Sequence, residues 1–219
     1  MPMNIGRIPA EQCCGLLLAA GQGRRFRQSV GDMADNRLRH GKLLAPLPGS
    51  NMTVSQASAT TLTCVLERVL AVVPAHDKAL QDALRQAGCE IIVHADADQG
   101  MGSSLAAGVR ALANSTPAPA FCLVALADMP WIRQETIRDL CAASSGAPIV
   151  APVYDMQRGH PVRFHASLFQ ALQAMHGDEG ARSLMRRHPV HLVSCADPGI
   201  SQDIDTVEQL RAQPMPPQT

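Results

Sequence analysis

A chain of 219 residues is long enough to bury one sizeable core and needs no second domain to do so. Lys plus Arg (19) balance Asp plus Glu (19), so no basic field suggests sequence-independent nucleic-acid binding, and aromatics at 3% are too few to stack a single strand. The cysteines at 13, 14, 64, 89, 122, 141 and 195 are odd in number, lie mostly in apolar runs and lack C-x-x-C spacing. That argues against a secreted disulfide scaffold and a clustered zinc site, and predicts reduced, buried thiols in the cytosol. The first dozen residues hold no signal-peptide core, and no apolar run is long enough to span a bilayer. The expectation is a cytoplasmic protein without membrane or nucleic-acid partners.

The first predicted element is a buried strand in the apolar run from Gly15 to Ala20, which empties into Gly21-Gln22-Gly23-Arg24-Arg25. Glycines let backbone N–H groups approach an anion, and arginine adds a planar fork of donors, so such a turn suits phosphate. A plain strand-to-helix turn with two solvated arginines is the alternative. The Walker and dinucleotide fingerprints both fail, because positions 24 to 26 supply neither the lysine nor the third glycine. Residues 27–41 are polar and predict an inserted, mobile loop, after which Lys42 opens the apolar K-L-L-A-P-L.

Residues 46–51 are turn-rich, 53–64 carry a weak helical pattern, and 66–73 read as a strand ended by Pro74. Apolar spacing predicts a helix over 77–87 stopped by Gly88, then a short strand over 89–94. This alternation implies βαβ units and a mostly parallel sheet. Between Asp98 and Arg110, Gly100 and Gly102 predict a turn, Ser103 or Ser104 an N-cap, and Leu105 to Ala113 a helix. Phe121 to Leu126 is the most strand-like run and delivers Asp128 at its carboxyl end. There an aspartate can cap a helix or hold magnesium against phosphate oxygens.

A helix over 132–143 and a strand over 148–154 lead to Gly159-His160-Pro161-Val162, where His160 is a turn residue or a group titrating near neutrality. Helices are predicted over 168–175 and 183–187, and a last core strand over 191–195. Asp203 and Asp205, two apart, share a face if extended, either as a solvated edge or as a pair of ligands; Thr206 can cap a helix from Val207. The tail from Gln213 reads as disordered.

Six motifs in order, L-A-A-G-x-x-x-R, G-M-G-S-S-L, L-A-D-M-P, G-H-P-V, G-D-E-G-A-R and D-I-D-T, resemble those of the nucleotidyltransferases that attach a nucleoside monophosphate to the molybdenum cofactor, and their sugar-phosphate relatives. The resemblance covers roughly residues 15–210. It implies one α/β domain, a three-layer Rossmann-like nucleotidyltransferase fold with a mixed, mainly parallel sheet and a core over about 14–211. By the same resemblance, Leu18, Ala19, Ala20, Gly21, Gly23, Arg25 and Lys42 wrap and neutralise the triphosphate. Gly102, Ser103 and Ser104 contact the nucleotide, and Gly159, His160, Asp178 and Arg182 line the acceptor side. Asp128 holds Mg2+, completed by Asp203 or Asp205. Family members place the lysine closer behind the arginine than Lys42 lies.

The implied reaction is attack by the terminal phosphate of molybdopterin on the α-phosphorus of a nucleoside triphosphate, with pyrophosphate released. Ala20 favours CTP, since guanine-using relatives tend to have glycine there. A recipient molybdoenzyme or its chaperone is the further implied partner. Alternatives are a GTP-using enzyme, a sugar-phosphate nucleotidyltransferase, a non-catalytic molybdopterin carrier, which would need no acid pair, and an oxidoreductase, which no nicotinamide fingerprint supports.

Overall fold

The first predicted strand forms as β1 (Cys13–Leu18), beginning earlier than the glycine and ending before Ala19. It is buried throughout because parallel neighbours flank it and helices cover both faces, so its sequence shows no alternation. The structure, a computed structural model, describes residues 6–20, 23–30, 38, 40–96, 100–177 and 180–212. The other strands are β2 (Val69–Pro74), β3 (Glu90–His94), β4 (Phe121–Leu126), β5 (Ile149–Tyr154), β6 (Gln157–Arg158), β7 (Val162–His165) and β8 (Val190–Ser194). Their order is β3-β2-β1-β4-β7-β5-β6, with β8 pairing β5. The pairings β1–β2, β1–β4, β2–β3 and β5–β8 are parallel, and those among β4, β5, β6 and β7 are antiparallel.

The sheet is the middle of three layers. On one face α2 (Val54–Thr63), α3 (Lys78–Gln86) and α5 (Gln134–Ala142) bury Leu62, Leu80, Leu84, Ile137 and Leu140 against Leu17, Val73 and Leu123. On the other, α4 (Met101–Ala113), α6 (Phe169–Gln173) and α7 (Arg182–Arg187) bury Leu105, Val109, Leu112, Leu172 and Leu184 against Leu16, Val124 and Phe164. Local chemistry sets the helix ends. Thr53 and Gln56 form a reciprocal capping box at α2, Asp77 caps α3, and Gly88, at φ +87°, ends it.

Several expectations need correction. Residues 27–30 of the predicted loop belong to a helix, α1 (Arg24–Val30), because Phe26 and Val30, four apart, both face an apolar cluster. Residues 31–37 and 39 lie outside the described residues, as does the tail from 213. Helix α4 begins at Met101 with Gly100 at its cap, and Gly100 caps with no side chain; Ser103 and Ser104 lie inside the first turn. Strand β8 is a half-exposed edge, with Leu192 itself about half exposed, rather than a core strand. Five cysteines are buried, whereas Cys64 is exposed and Cys195 partly so. No helix among the described residues is long and apolar enough to cross a membrane.

Candidate functional site

At the carboxyl ends of β1 and β4 the chain opens a cavity of about 750 Å³. Leu18 forms part of its wall, and Gly23, at φ +56°, leads into α1. Phe26 and Val30 pack with Ala57, Trp131, Ile204, Val207 and Leu210, which holds α1 against α2 and α8 (Val207–Ala212) and leaves Arg25 on the cavity side. Lys42 enters from a 3-10 turn, Lys42–Leu44, and is only 8% exposed. Ala19 and Ala20 line a second cavity of about 360 Å³ with Pro74, His76 and Asp77, and Gly23 and Lys42 border both cavities. Gly21 lies outside the described residues.

Asp128 is fixed through its backbone. The Ala127 N–H donates to the Leu18 carbonyl, Ser58 Oγ donates to the Ala127 carbonyl, and the Ile204 N–H donates to the Asp128 carbonyl at 2.9 Å. That last bond seats the C-terminal segment beside β4, so Asp203 and Asp205 flank Asp128. Gln209 Oε1 accepts the N–H groups of Asp205 and Thr206, and Thr206 Oγ1 caps α8 as predicted by accepting the Gln209 N–H. Each of the three carboxylates offers an oxygen within 4.8 Å of the others. Lys42 Nζ donates to Asp128 Oδ2 at 2.6 Å and Asp205 Oδ1 at 2.8 Å, and Arg25 donates to Asp205 Oδ2 at 2.8 Å.

The electrostatics follow from this packing. Burial alone would lower the Lys42 ammonium, but Asp128 and Asp205 outweigh it and hold the ammonium above its ordinary value. The Lys42 hydrogen bond, opposed by burial and aided by Arg25, holds Asp205 below the usual carboxylate range. Burial, then Asp205 and Asp128, push Asp203 up. Asp128 Oδ1 is buried without a hydrogen-bond partner, and the donor set is all oxygen, so the residues fit a hard divalent cation.

One wall of the cavity comes from a break between β6 and β7. Gly159 donates to the Pro152 carbonyl, His160 turns its N–H to the Ile200 carbonyl at 2.8 Å, and antiparallel pairing with β4 begins only at Val162. His160 Nδ1 is buried without a partner, and burial pushes the imidazole down toward its neutral form. Arg158 and Arg182 stand on the cavity wall, with Leu105, Val124, Phe164 and Met185 beneath. Asp178 lies outside the described residues.

The segment 102–104 lies in the first turn of α4, outside the lining of either cavity. The Gly102 N–H donates to the Gly177 carbonyl at 2.7 Å and a Cβ there would press on the His176 carbonyl, so Gly102 is a packing glycine. Ser103 Oγ pairs with His94 Nε2 at 2.8 Å, and Ser104 Oγ is buried without a partner. Met101 and Leu105, on either side of them, line the cavity.

Two contributors escaped the sequence reading. Arg158 gave no signal, being one arginine on a two-residue strand. Asp197 opens D-P-G, a turn signal. It is buried and accepts from the Arg133 N–H, Thr136 Oγ1 and the Gly199 N–H, fixing the 3-10 turn Pro198–Ser201 whose Ile200 carbonyl holds His160. Asp197→Ala should therefore cost about 2–4 kcal/mol, the consequence of leaving buried donors unpaired. Urea denaturation measures it, and an unshifted midpoint would show that these bonds do not secure the turn.

A family model described as MobA-like NTP transferase domain matches residues 15–192. The chain is 32% identical to nicotine blue oxidoreductase of Paenarthrobacter nicotinovorans, over 90% of this chain and 93% of that protein. It is 29% identical to the purine catabolism protein PucB of Bacillus subtilis strain 168, over 89% and 92%. Among solved structures it superposes on Rv0371c of Mycobacterium tuberculosis H37Rv with a TM-score of 0.73 and 26% identity, covering 93% of this chain and 97% of that one. A second structure of Rv0371c is a complex with manganese, at a TM-score of 0.70 and 25% identity, covering 91% and 96%.

Proposed function

This chain belongs to the family of MobA-like NTP transferase domains, and from that premise we propose that it transfers CMP from CTP to the terminal phosphate of molybdopterin or the molybdenum cofactor, releasing pyrophosphate. The observation that carries the reading is the convergence of Lys42 and Arg25 on Asp128 and Asp205, at the cavity that Gly23 and the end of β4 line. Cations beside an all-oxygen carboxylate cluster suit a triphosphate with a divalent metal. The solved relative's manganese complex supports the metal part of the reading.

In this reaction the nucleophile is an ionised phosphate oxygen of the substrate, so the protein has no proton to remove. Its work is positioning and charge neutralisation. Lys42 and Arg25 hold the β- and γ-phosphates and stabilise the charge that gathers on the departing pyrophosphate. Asp128, with Asp205 or Asp203, would hold Mg2+, which when bound neutralises charge on both reacting phosphates. Arg158 and Arg182 orient the acceptor's anionic end, neutral His160 offers Nδ1 to its polar edge, and the apolar floor receives its ring. A cytoplasmic location, with a recipient molybdoenzyme or its chaperone downstream, completes the proposal.

Base choice falls to the cavity that Ala20 lines. A pocket discriminating by size alone is worth roughly 1–3 kcal/mol, so CTP should be preferred over GTP without excluding it, and Ala20→Gly should raise GTP use. Pyrophosphate release with pterin substrate gives kcat/KM for both nucleotides in both proteins. A wild type that prefers GTP makes the guanylyltransferase alternative correct. The similarity to nicotine blue oxidoreductase favours one second reading, a redox enzyme on the same scaffold. Oxidation of a reduced nicotinamide with no pyrophosphate release in any nucleotide mixture would replace the transferase with it.

A further inference from the structure

Resting on the nucleotidyltransferase reading, we propose that Lys42 is the resident cation of the carboxylate cluster and exchanges places with the divalent metal. It releases Asp128 and Asp205 when the triphosphate draws its ammonium away, so nucleotide and metal load together. The contacts are specific. Lys42 Nζ lies 2.6 Å from Asp128 Oδ2 and 2.8 Å from Asp205 Oδ1, taking an oxygen from two of the three carboxylates that could hold the metal. A divalent cation needs those lone pairs at short range and would face a buried ammonium. The two cations therefore compete for the same oxygens.

The lysine stem gives the exchange a path. Its Cγ and Cδ pass 3.6 and 3.9 Å from the position a Cβ on Gly23 would take, and Lys42 borders both cavities. The ammonium, on a flexible four-carbon stem, can turn from the carboxylates toward Gly23 by rotamer change, with its 3-10 turn in place. Charge supplies the coupling. Three carboxylates face Lys42 and Arg25, and once Lys42 turns away the cation left in contact with them among the described residues is Arg25, on Oδ2 of Asp205 with its own side chain 79% exposed. The cluster is then left strongly anionic, which favours the metal. By reciprocity, whatever the triphosphate adds to metal affinity, the metal adds to triphosphate affinity.

The exchange is tested on the full chain with Mn2+ alone, read by electron paramagnetic resonance of the free ion. Lys42→Met should bind Mn2+ at least about tenfold more tightly than wild type, in the range of ordinary site-to-site coupling. Arg25→Met, which removes a cation that among the described residues pairs with Asp205 and not with Asp128, should gain clearly less. Lys42→Gln is measured beside them, so that a folding failure of one variant leaves the other. Unchanged or weaker Mn2+ binding in folded Lys42 variants overturns the exchange, and so does an equal gain in Arg25→Met, which would mean general charge rather than occupancy. A separate arm adds α,β-methylene CTP or its guanosine counterpart. If neither analogue binds wild type with Mn2+, the nucleotidyltransferase reading fails, while the metal-alone arm still decides the exchange.

Discussion

Asp128→Asn should leave the protein folded and reduce turnover by at least about 100-fold, the scale on which disturbing a metal's surroundings already acts. The substitution is nearly isosteric, and the bonds that seat residue 128 run through its backbone to Ile204 and through Ala127 to Leu18 and Ser58. What it removes is the charge that faces Lys42 and a buried oxygen with no other partner. Asp205→Asn should behave similarly, and the double variant should add little, because groups that hold one ion act as a unit. Pyrophosphate release with pterin substrate and CTP gives the rates, and thermal melts check the fold. Near wild-type turnover in Asp128→Asn would remove the carboxylate cluster from the mechanism.

The second large effect is expected at a residue with no charge. A Cβ on Gly159 would collide with the Ile200 carbonyl, a backbone atom that cannot rotate away. That carbonyl also accepts the His160 N–H, and it sits in the turn leading to Asp203. Gly159→Ala must push the turn outward, break the His160 bond and displace Asp203. The expected cost is about 1–3 kcal/mol of stability, the usual range for forced overpacking, together with a loss of Mn2+ affinity larger than that destabilisation would cause in a folded population. Urea denaturation and metal titration separate the two. Wild-type metal binding in the variant would show that the turn is not what positions Asp203.

Much of the architecture was written locally. The uniform apolar runs of β1 and β4, the spacing of α3 with Asp77 before it and Gly88 after it, and the Thr53–Gln56 box are short-range statements, and each formed as an element. Arg25, Lys42, Asp128, Asp203 and Asp205, each carried by a short motif, line one cavity. Polarity misled in the segment after Arg25, where a helix depends on only two apolar residues, and their burial is visible only once α2 and α8 are packed against them.

Other features could not be read from any window of sequence. The antiparallel insertion of β7 between β4 and β5 depends on long-range pairing, and it is the break before β7 that places Gly159 and His160 on the cavity wall. Asp197 gained its importance only from Arg133 and Thr136, far away in the chain. Above all, Lys42 and Asp205 meet across more than half of the sequence. By itself the sequence determined which residues could carry charge, ligate a metal or end an element, because those properties belong to single side chains and short spacings. The tertiary structure alone decided that Lys42 donates to both Asp128 and Asp205, because which charges meet is a matter of distance between atoms that chain order does not constrain.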